Sequence, residues 1–244
     1  MGGVDVGVAA VLAATLVVGA TVQGLVGLGL GLVAAPVTTL LAPDLMPGLL
    51  LWLALFLPVV TLVRDHHDID WRGLGWSMSA RLPGTVVGVV LVGMFSAQAM
   101  GVAVGLMVLA SVLVTAWSVR LPVNRVSLTT AGFVSGVAGT TTSIGGPPMA
   151  ILLQHRAALQ VRSTLAVYFV GGAGVSLLGL GLTGAVDRST FLLAVTLAPA
   201  LLVGVVLSRV LHRVVPARHF RPAVLWVCGL SSVVLLAKSL FLPA

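Results

Sequence analysis

Two glycine-rich stretches hold the residues best suited to binding a ligand in an otherwise apolar chain. The first reads Gln23-Gly24-Leu25-Val26-Gly27-Leu28-Gly29-Leu30-Gly31-Leu32 and runs on to Pro36. The second reads Ser135-Gly136-Val137-Ala138-Gly139-Thr140-Thr141-Thr142-Ser143-Ile144-Gly145-Gly146-Pro147-Pro148. Glycine admits positive φ and lets the backbone pass close to a ligand. Pro147 and Pro148 donate no backbone hydrogen bond and suit the first turn of a helix. A helix that starts after each stretch offers free N–H groups and its positive dipole end, which together favour an anion. Thr140, Thr141, Thr142 and Ser143 add hydroxyl donors beside the second stretch. Gln23 and Ser135 each precede a first glycine and add a polar contact. The candidate substrate-binding residues are thus Gln23, Gly24, Gly27, Gly29 and Gly31, then Ser135, Gly136, Gly139, Thr140, Thr141, Thr142, Ser143, Gly145, Gly146, Pro147 and Pro148. Small residues also mark close helix packing in membranes. That alternative competes for Gly27, Gly29 and Gly31 more than for the Thr-rich stretch.

The surrounding elements must hold these stretches in a membrane. The chain is 8% charged and 59% hydrophobic, against roughly a quarter charged in soluble domains. Uncharged runs over residues 97–119, 163–186 and 189–208 approach the ~20 residues that cross ~30 Å of hydrocarbon. Residues 48–63 and 222–237 form shorter spans. Residues 76–94 form another, with Arg81 about one turn in and free to snorkel to the interface. A soluble fold is excluded because nothing here could form a polar outer face. The N-terminus lacks a basic region, so the first apolar run reads as mature structure.

The net charge of +7 raises the question of nucleic acid. The basic residues lie in short loops with no stripe of interleaved aromatics, so the pattern reads as positive-inside topology and no nucleic-acid partner is expected. The single cysteine, Cys228, excludes disulfides and Cys-rich metal sites. His66, His67, Asp68 and Asp70 could gather a metal adventitiously; no functional metal and no cofactor are expected. No histidine falls within a span, which argues against an intramembrane serine protease. No Walker motif is present. Every acidic residue (Asp5, Asp44, Asp65, Asp68, Asp70, Asp187) sits at a loop or terminus. Cation-coupled carriers usually keep an intramembrane carboxylate, so its absence favours an anionic substrate.

The halves repeat. Gly24, Gly27 and Pro36 fall on Gly136, Gly139 and Pro148 at one offset. Pro83 and Gly88 fall on Pro199 and Gly204 at a slightly longer one. If the second stretch turns back on itself, eleven of the thirteen basic residues share one side, Arg81 among them, with Arg188 and Lys238 opposite. A single crossing would divide them almost evenly, so the positive-inside rule favours the hairpin. The two halves are then inverted. The predicted fold is an all-α polytopic membrane protein of two inverted repeats, 1–120 and 121–244, each a broken-helix hairpin plus three transmembrane helices. The arms flanking the second break are expected to be about a dozen residues each. At ~1.5 Å per residue each arm reaches about the midplane. The first hairpin's leading arm is longer.

The stretch from Gly132-Phe133-Val134-Ser135-Gly136 through Ile144-Gly145-Gly146-Pro147-Pro148-Met149-Ala150-Ile151-Leu152-Leu153 resembles the TauE/SafE family of sulfite and organosulfonate exporters. Asp70-Trp71-Arg72 and Arg162-Ser163-Thr164 resemble it too, in the expected order. The first stretch departs from the family pattern, since Leu28 and Leu30 separate its glycines. The resemblance implies a multi-pass transporter of small, often sulfur-containing anions, with these motifs near the substrate path. The expected partners are the anion and the lipid bilayer of the inner (plasma) membrane, and a homodimer is left open. A passive anion channel and a non-transporting scaffold are the competing expectations.

Overall fold

The computed structural model describes residues 5–27, 29–63, 67–117, 121–214 and 217–241. Leu28, Arg64, Asp65, His66 and Arg120 lie outside the described residues, as do the side chains of His212, Arg213, Arg218, His219 and Arg221. The described residues form helices and their connections, with no strand among them. The first half comprises α1 (Val6–Val26), α2 (Leu30–Leu41), α3 (Gly48–Leu62), α4 (Trp71–Met94) and α5 (Ala97–Trp117), with a 3-10 turn at Pro43–Leu45. The second comprises α6 (Arg125–Thr142), α7 (Gly146–Leu153), α8 (Ala158–Leu182), α9 (Arg188–Val214) and α10 (Ala217–Phe241). Six of these helices are long and apolar enough to cross a membrane: α1, α4, α5, α8, α9 and α10. They turn large apolar side chains outward, as at Val86, Leu178, Val206 and Leu230, which is the pattern of a lipid-facing surface.

Both breaks are narrower than the glycine-rich stretches suggest. α1 continues through Gly24 to Val26, and α6 continues through Ser135, Gly136 and Gly139 to Thr142. α2 begins already at Leu30 and α7 at Gly146. Gly27 (φ 84°) and Ser143 (φ 61°) end α1 and α6 in the left-handed conformation. This geometry is easy for glycine and disfavoured for serine. Gly27 and Ser143 are separated by the same number of residues as Pro83 and Pro199. One offset thus aligns both breaks with the mid-helix prolines Pro83 and Pro199. The arms are also unequal: α6 has 18 residues and α7 has 8. That corrects the expectation of two equal arms.

Small residues set the tightest contacts. Gly84 and Gly88 of α4 lie against α6, and Gly132 and Gly136 of α6 lie against α4. A Cβ on Gly136 would press on the Arg81 carbonyl and the Thr85 N–H. Likewise Gly24 of α1 meets Ser208 of α9, while Gly204 of α9 meets Ala20 of α1. These four-residue spacings let backbones approach in a medium that gives helices no hydrophobic drive to associate. The first helix of each half therefore packs on the fourth helix of the other. α3 packs on α8 and α5 on α10.

The helix ends sort by charge. Arg72, Arg125 and Arg156 border one concavity, and Arg162 and Arg209 border another. The starts of α4, α6 and α8 and the end of α9 therefore share one side. At the opposite side Lys238 donates to the Leu40 carbonyl (3.2 Å), and Gly48 sits against Val186 and Thr190. There Asp187 caps α9. Its Oδ1 accepts from the Thr190 hydroxyl (2.6 Å) and N–H (2.9 Å), and its Oδ2 from the Ser189 hydroxyl (2.8 Å).

Candidate functional site

α4 places a cation between the two breaks. Asp70 caps the helix, its Oδ1 accepting from the Gly73 N–H at 2.9 Å. The helix consequently starts at Trp71 and not at Trp76. Ten residues on, Arg81 lies ~15 Å along the axis, near the centre of a ~30 Å hydrocarbon layer. Arg81 is only 3% exposed. The expectation that it snorkels to the interface, counted with the loop arginines, is corrected on this point.

The surroundings of Arg81 come from three helices. Its Nη1 donates to the Ser135 hydroxyl of α6 at 3.3 Å. That hydroxyl donates in turn to the Gly145 carbonyl in the second break. The guanidinium lies 4.6 Å from the ring centroid of Tyr168 on α8, a cation–π contact. Gly172, one turn further along α8, has no side chain where the guanidinium passes, and any Cβ there would collide with it. No ion-pair partner for Arg81 exists among the described residues. Its Nε, the Tyr168 hydroxyl and the neighbouring Thr85 hydroxyl are all buried without hydrogen-bond partners. An arginine remains charged, and an uncompensated charge at this depth costs about 3 kcal/mol on insertion scales. The guanidinium Nε and the two hydroxyls are therefore free to hydrogen-bond a further group.

Arg81 borders a cavity of about 60 Å³. Gly29, Gly31 and Leu30 line it from the first break and the start of α2, while Ser143, Gly145, Gly146 and Pro147 line it from the second. Gln23, Gly139, Phe169 and Ala173 complete much of the wall. At ~10–15 Å³ per water-sized sphere, this volume admits about four to six. Gln23 and Phe169 also border a vestibule of about 530 Å³ that is lined by Gly24, Gly27, Arg162 and Arg209. These two side chains thus stand between the cavity and the Arg-rich side. Gln23 also holds the first break, its Oε1 accepting from the Leu30 N–H at 3.0 Å.

The remaining sequence candidates divide by what their groups do. The Thr141 and Thr142 hydroxyls donate to the carbonyls of Val137 (2.9 Å) and Ala138 (2.7 Å). Thr140 pairs with Ser176 at 2.8 Å, and the Ser143 hydroxyl donates to the Pro47 carbonyl at 2.9 Å. Thr140, Thr141 and Thr142 lie outside the cavity wall, as do Ser135, Gly136 and Pro148. Of the first three residues of α7, only Gly146 carries an N–H, because Pro147 and Pro148 follow it. The positive potential therefore rests on Arg81 more than on free helix ends. Arg81, Tyr168 and Phe169 were not among the sequence candidates. The signal for Arg81 was the Asp70 cap, which fixes its depth once it is allowed to set the helix start. His67, Asp68 and Asp70 form no metal-binding group among the described residues.

The fold and site define a polytopic helical membrane protein whose centre holds a small cavity with a buried, unpaired cation. The chain belongs to the sulfite exporter TauE/SafE family, whose model matches residues 11–235. It is thereby a membrane transporter, of a family that moves sulfite and related anions. No curated protein and no solved structure matches it.

Proposed function

We propose that this chain is a secondary carrier that exports a small sulfur oxyanion by alternating access around the two breaks. The observation that carries this reading is Arg81, buried without a counter-charge at a cavity that both breaks line. A small oxyanion such as sulfite is of a size for a cavity that admits only a few waters. The sulfonate group of an organic substrate has the same head, and its carbon chain would extend past Gln23 and Phe169 into the vestibule. Arg81 supplies the charge, Ser135 orients its guanidinium, and the cavity-lining residues of the two breaks supply close backbone approach. Gly24, Gly136 and Gly139 serve the packing that lets the helices carrying the breaks move as units.

The two halves, 1–120 and 121–244, act in this reading as inverted repeats within one membrane domain. The exchange of first helices between halves and the shared offset of breaks and prolines support it. A cavity separated by Gln23 and Phe169 from the Arg-rich vestibule suits a carrier with a gated path. With that side in the cytoplasm of the inner membrane, a potential negative inside favours anion exit by ~2.3 kcal/mol per charge per 100 mV. Flux of radiolabelled sulfite from proteoliposomes tests the reading. Saturable efflux driven by an inside-negative potential is expected. Absence of any sulfur-oxyanion flux alongside robust flux of a cation would refute it.

A further inference from the structure

A basic concavity lies apart from the central cavity. A concavity of about 380 Å³ opens between the starts of α4 and α6 and the turn between α7 and α8. Arg72, Arg125 and Arg156 converge on it from these three segments, with Gln160 beside them. Asp70 is the only carboxylate in the lining among the described residues, and it is engaged as the cap of α4. The Arg125 guanidinium is held 4.9 Å from the ring centroid of Trp76, so one cation is positioned and not swinging freely in solvent. Three arginines against one carboxylate leave the concavity with a net positive charge that a further anion would offset. Trp71, at the start of α4 beside Arg72, is exposed. An exposed tryptophan at a helix end marks the headgroup level of a bilayer, where the ring is half in water and half in hydrocarbon. Leu128 and Val123 give the concavity an apolar floor.

We propose that this concavity binds the phosphodiester headgroup of an anionic phospholipid on the Arg-rich side. Basic pockets between transmembrane helices on this face suit such headgroups. The bidentate geometry of arginine suits phosphate oxygens. A headgroup here would tie α4 and α6 to the turn that follows the second hairpin. The inference stands apart from the identity of the transported anion.

Native mass spectrometry of the purified full chain tests it, with dioleoylphosphatidylglycerol titrated against dioleoylphosphatidylcholine. Preferential retention of phosphatidylglycerol is expected. The triple variant Arg72→Gln, Arg125→Gln, Arg156→Gln is expected to lose that preference by on the order of a hundredfold, at about fivefold for each arginine. Trp76→Leu leaves all three charges in place and is expected to weaken binding by about threefold, the smaller cation–π share. Removing two charges elsewhere on the same side, by Arg162→Gln with Arg209→Gln, should leave the preference intact. An unchanged preference in the triple variant would overturn the proposal, as would an equal loss in the Arg162 and Arg209 variant. Glycerol phosphate binding as tightly as the lipid would also overturn it, because the site would then serve a free phosphate.

Discussion

Arg81 is held by one hydroxyl, one aromatic face and the absence of a side chain at Gly172. Ser135 matters most among these, because its hydroxyl accepts a hydrogen bond from the guanidinium and donates one to the Gly145 carbonyl. It couples the cation to the second break. Ser135→Ala should leave the helices formed and weaken anion affinity by about 0.5–1.5 kcal/mol, the net scale of one hydrogen bond. A rise of about threefold to tenfold in the KM for sulfite efflux would register it, and an unchanged KM would show that Arg81 needs no such support. At this scale the sequence was misleading in a specific way. The hydroxyls of Thr141 and Thr142 look like ligand donors, but buried in a helix they bond back to carbonyls four residues earlier, as such side chains commonly do. Arg81 looks like an interfacial residue only when the apolar run alone is used to place the helix start.

The elements were more legible than the side chains. The uncharged runs became α3, α5, α8, α9 and α10 with small shifts at their ends, because about twenty apolar residues have no other stable arrangement in lipid. The breaks were legible as places but too wide in extent. Gly24 and Gly136 were read with the breaks, yet they sit inside helices where close packing and not chain reversal requires glycine. Gly146 differs, since it opens α7 and lines the cavity. Gly146→Leu should abolish sulfite efflux while the protein still inserts and purifies as a folded species. Efflux near wild-type level would remove the second break from the site. At the far side, hydrogen bonds from the Thr190 hydroxyl and N–H and from Ser189 hold the Asp187 carboxyl down to a pKa of about 2. A depressed carboxyl stabilises the fold above its unfolded value of 3.8, and that contribution is lost as pH falls through about 2. A carbon-13 titration of Asp187 should therefore show a midpoint near 2, and a midpoint near 3.8 would mean the cap is not formed.

For the whole molecule, the arginine distribution foretold which helix ends share a side, because basic loops resist translocation. The exchanged packing, with α1 on α9 and α6 on α4, could not be read the same way, since it depends on which glycines meet in space. The topology gives a direct expectation for single-cysteine labelling. Cys228 is buried, so its background reaction is low. In right-side-out vesicles a membrane-impermeant maleimide should label Ala185→Cys and spare Leu121→Cys. Labelling of both from one side would contradict the inverted arrangement of the hairpins. The central claim, that a buried and unpaired Arg81 is the anion-binding charge, is tested most directly by sulfite titration calorimetry on the purified protein and on Arg81→Gln. The variant relieves a desolvated charge, so it should be folded and no less stable than the parent without anion. The account predicts that sulfite binds the parent and that Arg81→Gln binds at least about tenfold more weakly, as expected for loss of a charged hydrogen bond of about 1.5–3 kcal/mol. Equal affinity in the two proteins would contradict it.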